Sequence, residues 1–185
     1  MGVRGKVSAR AVFLDRDGVL NRAVVRDNKP YPPSGVHELE ILPGVREALL
    51  RLRTAGFLLI VVTNQPDVAR GTTSQGAVER INEALATTLP IDEFRTCYHD
   101  SSANCACRKP KPGMLLDAAG KWNIDLSRSF MIGDRWRDTE AGDAAGCQTM
   151  FIDYGYDEKQ PARVHHRVTS LTEAANVILH EEGSA

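Results

Sequence analysis

Four short, almost uninterrupted apolar runs lie along the chain, separated by segments with helical periodicity. Such runs are typical of parallel strands buried on both faces. Apolar residues at three- and four-residue spacing between them predict amphipathic helices. Strands alternating with helices indicate right-handed crossovers, and so a doubly wound α/β fold with a parallel sheet. The predicted strands are Val12 to Leu14, Phe57 to Val62, Phe130 to Ile132 and Thr149 to Ile152, and the predicted helices are Gly44 to Ala55, Ser74 to Leu89, one opening at Pro112, Asp138 to Ala145 and Leu171 to His180.

Polar residues lie next to these apolar runs. In an open parallel sheet the ligand binds beyond the carboxyl ends of the strands, so residues just after each run are candidates for a site. Each segment has an ordinary structural alternative, because aspartate and glycine favour turns and aspartate caps helices. Their joint occurrence in this order favours a site over isolated turns. The four segments are Asp15-Arg16-Asp17-Gly18, Thr63-Asn64-Gln65, Arg108-Lys109-Pro110 and Gly133-Asp134-Arg135-Trp136-Arg137-Asp138.

Asp15 and Asp17 stand two residues apart, so extended backbone points both side chains to the same side. Close carboxylates repel unless one is protonated or a cation lies between them. Asp134 adds a third carboxylate from another strand end, and such an oxygen-rich site suits Mg²⁺ better than zinc. Asp15 can then attack phosphorus and form an aspartyl-phosphate. Asp17 is placed to protonate the leaving alkoxide and later to deprotonate the hydrolytic water.

The charge on a transferring phosphoryl group must be met by hydrogen-bond donors. Thr63, the amides that follow it and a lysine near Lys109 can supply them. Three cysteines and one histidine, Cys97, His99, Cys105 and Cys107, fall within eleven residues. They are enough for a closed structural Cys₃His zinc site that would hold Arg108 and Lys109 at the mouth of the pocket. Free buried thiols are the alternative.

Composition sets limits on the class of protein. The chain has 185 residues, 42% of them apolar and 25% charged, with a net charge of -1. We expect one domain over residues 1–185, a monomer, and no nucleic-acid or membrane partner. The stretch from Met1 to Lys6 leads into polar residues and not into an apolar signal core, which favours the cytoplasm. Cys147 is expected in the core.

The four polar segments resemble the motifs of the haloacid dehalogenase superfamily of phosphatases. The resemblance covers residues 11–153 and implies a capless Rossmann-like core with a zinc loop over residues 97–107. That loop is similar to the one found in the branch of histidinol-phosphate phosphatases and D-glycero-D-manno-heptose-1,7-bisphosphate phosphatases. The substrate expected from this branch is a small phosphorylated sugar.

The resemblance also implies roles for individual residues. Asp15 would be the nucleophile and Asp17 the general acid/base. Lys109, which directly follows Arg108, would steady the phosphoryl group, and Lys111 would not. Mg²⁺ would be held by Asp15, the main-chain carbonyl of Asp17 and Asp134, with Asp138 in support. The expected substrate contacts are Arg16, Asn64, Gln65, Arg108 and Arg135.

The choice of substrate rests on smaller similarities. Gln65 with Ala69-Arg70-Gly71 favours the heptose enzymes, although Pro66-Asp67 stands where they have serine and glycine. Histidinol phosphate is the alternative substrate. A mutase would need a closing cap, and a zinc-stabilised binding module without activity is the alternative from another class. The segment Tyr31-Pro32-Pro33 is either part of the pocket entrance or a stiff surface turn.

Overall fold

The fold is described from a computed structural model, which covers residues 8–183. The stretch from Met1 to Lys6, expected to lack a signal core, lies outside these residues. Two short 3₁₀ turns occur at Val36–Glu38 and Leu126–Arg128. The strands are Arg10–Leu14 (β1), Val24–Arg26 (β2), Lys29–Tyr31 (β3), Phe57–Asn64 (β4), Glu93–Cys97 (β5), Phe130–Gly133 (β6), Gln148–Ile152 (β7) and His166–Val168 (β8), and the helices are Val45–Thr54 (α1), Gln75–Thr88 (α2), Gly113–Trp122 (α3), Trp136–Ala145 (α4) and Leu171–Gly183 (α5).

Six parallel strands form the central sheet in the order β5-β4-β1-β6-β7-β8. The doubly wound parallel sheet expected from the apolar runs is therefore confirmed. The chain moves outward from β1 to β4 and β5, then returns to the other side of β1 to form β6. The direction of winding reverses between β1 and β6, which leaves a crevice beyond the carboxyl ends of these two strands.

Alternate residues of β1 belong to two different hydrophobic clusters. Val12 and Leu14 pack with apolar residues of α1, α2 and α5, whereas Ala11 and Phe13 pack with those of α3 and α4. Side chains alternate across a strand, so one short run supplies both faces of the sheet. Each fully buried large apolar side chain contributes about 1.5–3 kcal/mol. The sheet is thus held between two helical layers, and Cys147 lies in the second cluster as expected.

The helices begin and end close to the predicted positions, for identifiable reasons. The Ser74 side chain accepts a hydrogen bond from the Ala77 amide at 3.1 Å and caps α2. Helix α4 starts two residues before the predicted Asp138, because that carboxylate accepts a hydrogen bond from the Arg135 amide at 3.0 Å. Across residues 8–183, none of the helices combines the length and the apolar character needed to cross a membrane.

Four of the strands were not predicted from the sequence. Strand β5 pairs along one side with β4, and its residues are mostly half-buried, so it lacks a continuous apolar run. Strand β8 has only three residues, and β2 and β3 form a separate antiparallel hairpin. The hydrophobic cluster continues past residue 153 through Val168, Leu171 and the buried face of α5.

Candidate active site

Three aspartates meet at the crevice between β1 and β6. Asp15 directly follows β1, and its backbone amide donates to the Ile132 carbonyl at 2.9 Å. Asp134 directly follows β6, and Asp138 lies in the first turn of α4. One carboxylate oxygen from each of these residues lies within 4.8 Å of the others. We call Asp15, Asp134 and Asp138 the carboxylate cluster.

Asp134 has the environment of a metal ligand. Its side chain is buried, and within the described residues no hydrogen bond of normal geometry reaches its carboxylate oxygens, although Tyr156, whose pKa is raised by burial and by Asp134, lies close to it. Burial raises the pKa of Asp134 well above its usual value, and the neighbouring carboxylates of Asp15 and Asp138 raise it further. A buried carboxylate without donors is costly unless a proton or cation meets it. The donor set fits Mg²⁺, which prefers carboxylate oxygens.

Gly18 gives Asp134 the room that it needs. A β-carbon built on Gly18 would lie 1.9 Å from Asp134 Oδ2, and the backbone at Gly18 has a φ of +89°. Both the close approach and the left-handed conformation exclude ordinary side chains. The glycine of the first polar segment is therefore required by the position of the Asp134 carboxylate.

Lys109 supplies the buried positive charge of the site. Its ammonium group lies 2.7 Å from Asp15 Oδ1, 2.6 Å from Asp138 Oδ1 and 2.7 Å from the Val62 carbonyl oxygen. Burial opposes the charged ammonium, but the carboxylates of Asp138 and Asp15 raise the pKa of Lys109 above its usual value. At Asp15, burial raises the pKa of the carboxyl group to about 6, although the nearby Lys109 ammonium acts to lower it.

Asn64 fixes the backbone that carries Lys109. Its side-chain amide donates to the Lys109 carbonyl at 3.0 Å and accepts from the Lys109 amide at 3.1 Å. Asn64 also lines the active-site pocket. Lys111, the alternative lysine, is exposed and donates to Asn104 Oδ1 at 2.6 Å, away from the carboxylate cluster. The geometry thus favours Lys109 over Lys111.

Asp17 is held by hydrogen bonds from three side chains. Arg16 donates to its carboxylate from Nε at 3.2 Å and from Nη2 at 3.0 Å. Asn21 donates to Oδ1 at 3.0 Å, and Gln65 donates to Oδ2 at 2.9 Å and to Thr63 Oγ1 at 2.9 Å. Asp17 keeps 15% of its side chain exposed and lines the pocket. Its carboxylate is therefore oriented before any ligand arrives.

The expected substrate contacts of Arg16 and Gln65 are not supported by this arrangement. Arg16 is 0% exposed and Gln65 is 1% exposed, and the guanidinium and amide groups are directed to Asp17. Neither residue lines the pocket. The Arg16 side chain lies in the protein interior, where its Nη1 group donates to Asn82 Oδ1 on α2 at 3.0 Å.

The pocket has a positively charged rim. Arg108 and Arg135, both expected at the site, line it together with Arg137, which we did not predict as a contact. Burial lowers the pKa of Arg137, and the nearby guanidinium groups of Arg135 and Arg108 lower it further. Glu158 lies 2.5 Å from Arg135 and 3.8 Å from Arg137. A cluster of cations around an open pocket is suited to an anionic ligand.

The entrance is formed in part by the β2–β3 hairpin and the residue after it. Pro30, Tyr31 and Pro32 line the pocket. The interpretation of this segment as a pocket entrance is therefore supported over that of a surface turn alone. Thr63 also lines the pocket and is 1% exposed.

The predicted zinc ligands converge at the end of β5. The Sγ atom of Cys107 lies 3.2 Å from Sγ of Cys97, 3.4 Å from Sγ of Cys105 and 3.3 Å from Nδ1 of His99. Zinc–sulfur bonds of about 2.3 Å place tetrahedral ligand atoms within 4 Å of one another, so the four groups fit a closed zinc site. We call these four residues the thiol cluster.

A residue of the thiol cluster is hydrogen-bonded to Arg108. The Arg108 guanidinium donates to the His99 carbonyl at 3.0 Å.

Burial raises the pKa of Cys97 to about 12. Although burial acts in the opposite direction at Cys105, hydrogen bonds from Cys107 and from the Arg108 backbone help lower its pKa to about 7. Zinc binding requires thiolates, so occupation of the site is linked to proton release.

Comparisons with known proteins agree with this geometry. A family model described as HAD-hydrolase-like matches residues 106–174. Two curated relatives named D-glycero-β-D-manno-heptose-1,7-bisphosphate 7-phosphatase come from Rhodopseudomonas palustris and Escherichia coli K12. The first is 40% identical and the alignment covers 74% of this chain and 79% of the relative; the second is 36% identical, with 78% and 79% covered.

A solved structure gives the same result. The D,D-heptose 1,7-bisphosphate phosphatase from B. bronchiseptica, complexed with magnesium and phosphate, is 31% identical and has a TM-score of 0.79. The match covers 93% of this chain and 99% of that one. Fold and site together define a haloacid dehalogenase (HAD) type phosphatase. Within that class, the chain belongs to the family of the curated relatives named above.

Proposed function

We propose that this chain removes the 7-phosphate from D-glycero-D-manno-heptose 1,7-bisphosphate through an aspartyl-phosphate. The observation that supports this most is the buried Asp134 carboxylate, which lies beside Asp15, a residue that lines a pocket together with three arginines. The names of the relatives support the choice of substrate.

In this proposal Asp15 is the nucleophile. One of its oxygens accepts from Lys109 at 2.7 Å, and its side chain lines the pocket. Burial raises the pKa of Asp15 to about 6 and Lys109 acts to lower it, so the carboxylate is mostly deprotonated near neutral pH. Lys109 also meets the phosphoryl oxygens.

Asp17 acts as the general acid and then as the general base. Its three donor side chains hold the carboxylate in one orientation while leaving part of it open to the pocket. The proton goes first to the leaving alkoxide and is then recovered from the water that hydrolyses the aspartyl-phosphate. Thr63 and the amides that follow it line the phosphoryl pocket.

We propose that Mg²⁺ is held by Asp15, the main-chain carbonyl of Asp17 and Asp134, with Asp138 in support. When bound, the ion offsets carboxylate repulsion and stabilises charge on the phosphoryl group in transfer. Asp138 acts indirectly, since its oxygens meet Lys109 and the Arg135 amide. It therefore orients the residues around the ion.

We propose a structural zinc ion for the thiol cluster. Its role is to fix the loop that places Arg108 at the rim and leads into Lys109. Reduced thiols at Cys97, Cys105 and Cys107 suit the cytoplasm, which we propose as the location. Arg108 and, less centrally, Arg135 would contact the part of the substrate that carries the second phosphate.

A side-by-side assay tests the choice of substrate. The purified enzyme with Mg²⁺ is given heptose 1,7-bisphosphate, as separate anomers, and histidinol phosphate, and kcat/KM is measured for each. We expect the bisphosphate to be preferred by at least about a hundredfold, as several charged contacts act on its second phosphate. A preference for histidinol phosphate would overturn the substrate, and Arg108→Ala should lower kcat/KM only for the bisphosphate.

A further inference from the structure

The side chain of Arg16 is unusual in the site because it is charged, completely buried and directed away from the pocket. Its Nε and Nη2 groups donate to Asp17, and its Nη1 group donates to Asn82 Oδ1 at 3.0 Å. A buried guanidinium is stable only when its donors are met, and these contacts meet it on both sides. Arg16 thus joins the Asp17 carboxylate to helix α2.

Asn82 is a polar residue on the apolar face of α2. It is 8% exposed and lies between Ile81 and Leu85, which pack in the core. Its side chain uses both of its functions: Oδ1 accepts from Arg16, and Nδ2 donates to Thr96 Oγ1 on β5 at 3.3 Å. The residue does not line the active-site pocket. Core packing alone gives no reason for an amide here.

We infer that Asn82 and Arg16 are positioning residues for the general acid Asp17. Thr96 holds the Asn82 amide, Asn82 holds one side of the Arg16 guanidinium, and the other side of that planar group fixes the Asp17 carboxylate. Bidentate guanidinium–carboxylate contacts restrict both position and rotation. The inference rests on the proposed role of Asp17.

The departure of the leaving group provides a specific test. An alkyl phosphate releases an alkoxide that needs a proton, whereas p-nitrophenyl phosphate releases a stable anion that does not. Loss of general-acid positioning should therefore lower kcat/KM for the alkyl substrate much more than for the aryl substrate. A general loss of folded protein or of Mg²⁺ binding would lower both equally.

The experiment compares β-glycerophosphate with p-nitrophenyl phosphate, each with Mg²⁺. For Asn82→Leu, which leaves Arg16 Nη1 unpaired, we expect kcat/KM on β-glycerophosphate to fall at least about tenfold more than on p-nitrophenyl phosphate. Thr96→Val should give the same pattern with a smaller effect. Asn82→Asp retains an acceptor for Arg16 and should recover most of the loss.

The control is Ile81→Val, which changes the neighbouring buried residue without touching these hydrogen bonds. It should affect both substrates alike. Equal losses on both substrates in Asn82→Leu, or no loss in any variant, would overturn the positioning role. If Asn82→Leu does not fold, Thr96→Val decides the question. A wild-type enzyme that hydrolyses no phosphomonoester with Mg²⁺, heptose 1,7-bisphosphate included, would instead overturn the proposed chemistry of the whole site.

Discussion

The carboxylate cluster and the thiol cluster could each hold a metal ion, but the chain forms them in different ways. The first brings Asp15, at the end of β1, together with Asp134 and Asp138, which follow β6 much later in the sequence. The second takes all four ligands from residues 97–107, at the end of the outermost strand β5.

The two clusters therefore differ in whether the fold creates the site or the metal supports the fold. Packing of the sheet places the carboxylates together despite their repulsion, so the fold creates the metal site. The loop after β5 has few apolar anchors, so we expect the proposed zinc ion to contribute to the fold itself. Removal of magnesium should therefore affect chemistry, whereas removal of zinc should affect local structure first.

Asp15→Asn should show the largest effect. The amide cannot act as the nucleophile, and we expect kcat to fall by about 10⁴-fold or more. Removal of one of three close carboxylates also lowers repulsion, so the metal-free variant should melt at or above the wild-type temperature. Activity assays and thermal melts measure both. Substantial residual turnover would contradict the nucleophile assignment, and a large fall in Tm would contradict the account of repulsion.

Cys105→Ser tests the thiol cluster. We expect loss of near-stoichiometric zinc, a fall in Tm of about 5 °C or more, and a decrease in kcat/KM of about tenfold. The kinetic effect is smaller than for Asp15, because Asn64 still holds the Lys109 backbone. Elemental analysis, melting and kinetics measure the three. Cys147→Ser, which alters the cysteine outside the cluster, should leave the zinc content unchanged.

The stabilisation by Mg²⁺ should depend on pH. Burial raises the pKa of Asp15 to about 6 and that of Asp134 well above its usual value. A raised folded-state pKa gives stability below the unfolded value, which is lost as the pH rises through the folded value. The metal-free protein should therefore lose stability from about pH 4 to above pH 6, and Mg²⁺ should restore it.

The expected increase in Tm is roughly 5–10 °C near pH 8 with Mg²⁺ at about 100 times its Kd, and less near pH 5. Melts with and without MgCl₂ at several pH values provide the measurement. Asp15→Asn should weaken the pH dependence. A shift that is constant across this range would show that protons and Mg²⁺ do not compete for the carboxylate cluster.

The sequence predicted those parts of the molecule where a local pattern carries the information. Apolar runs predicted four of the six strands of the sheet, and the polar residues after them included the candidate site residues Asp15 and Asp134. Strand β5 was missed because Glu93 and Arg95 interrupt its apolar residues, as an edge strand allows.

The direction of a side chain could not be predicted in the same way. Arg16 and Gln65 lie in motif segments, yet both turn into the interior to hold Asp17. Their roles depend on partners that are distant in sequence, such as Asn82. One signal was available, since an asparagine on the apolar face of α2 indicates that a buried polar partner lies nearby. For Arg137, nothing in the sequence indicated a place in the pocket lining beyond its position near Asp134.

The three contacts of Lys109 bear on how the enzyme is handled and stored. This ammonium group is an internal counter-ion for Asp15 and Asp138, so part of the charge balance of the pocket remains when divalent ions are removed. Protein dialysed into magnesium-free buffer without a chelator should retain the shape of its pocket and regain activity as soon as MgCl₂ is added back. Preparation of a magnesium-free form needs no refolding step.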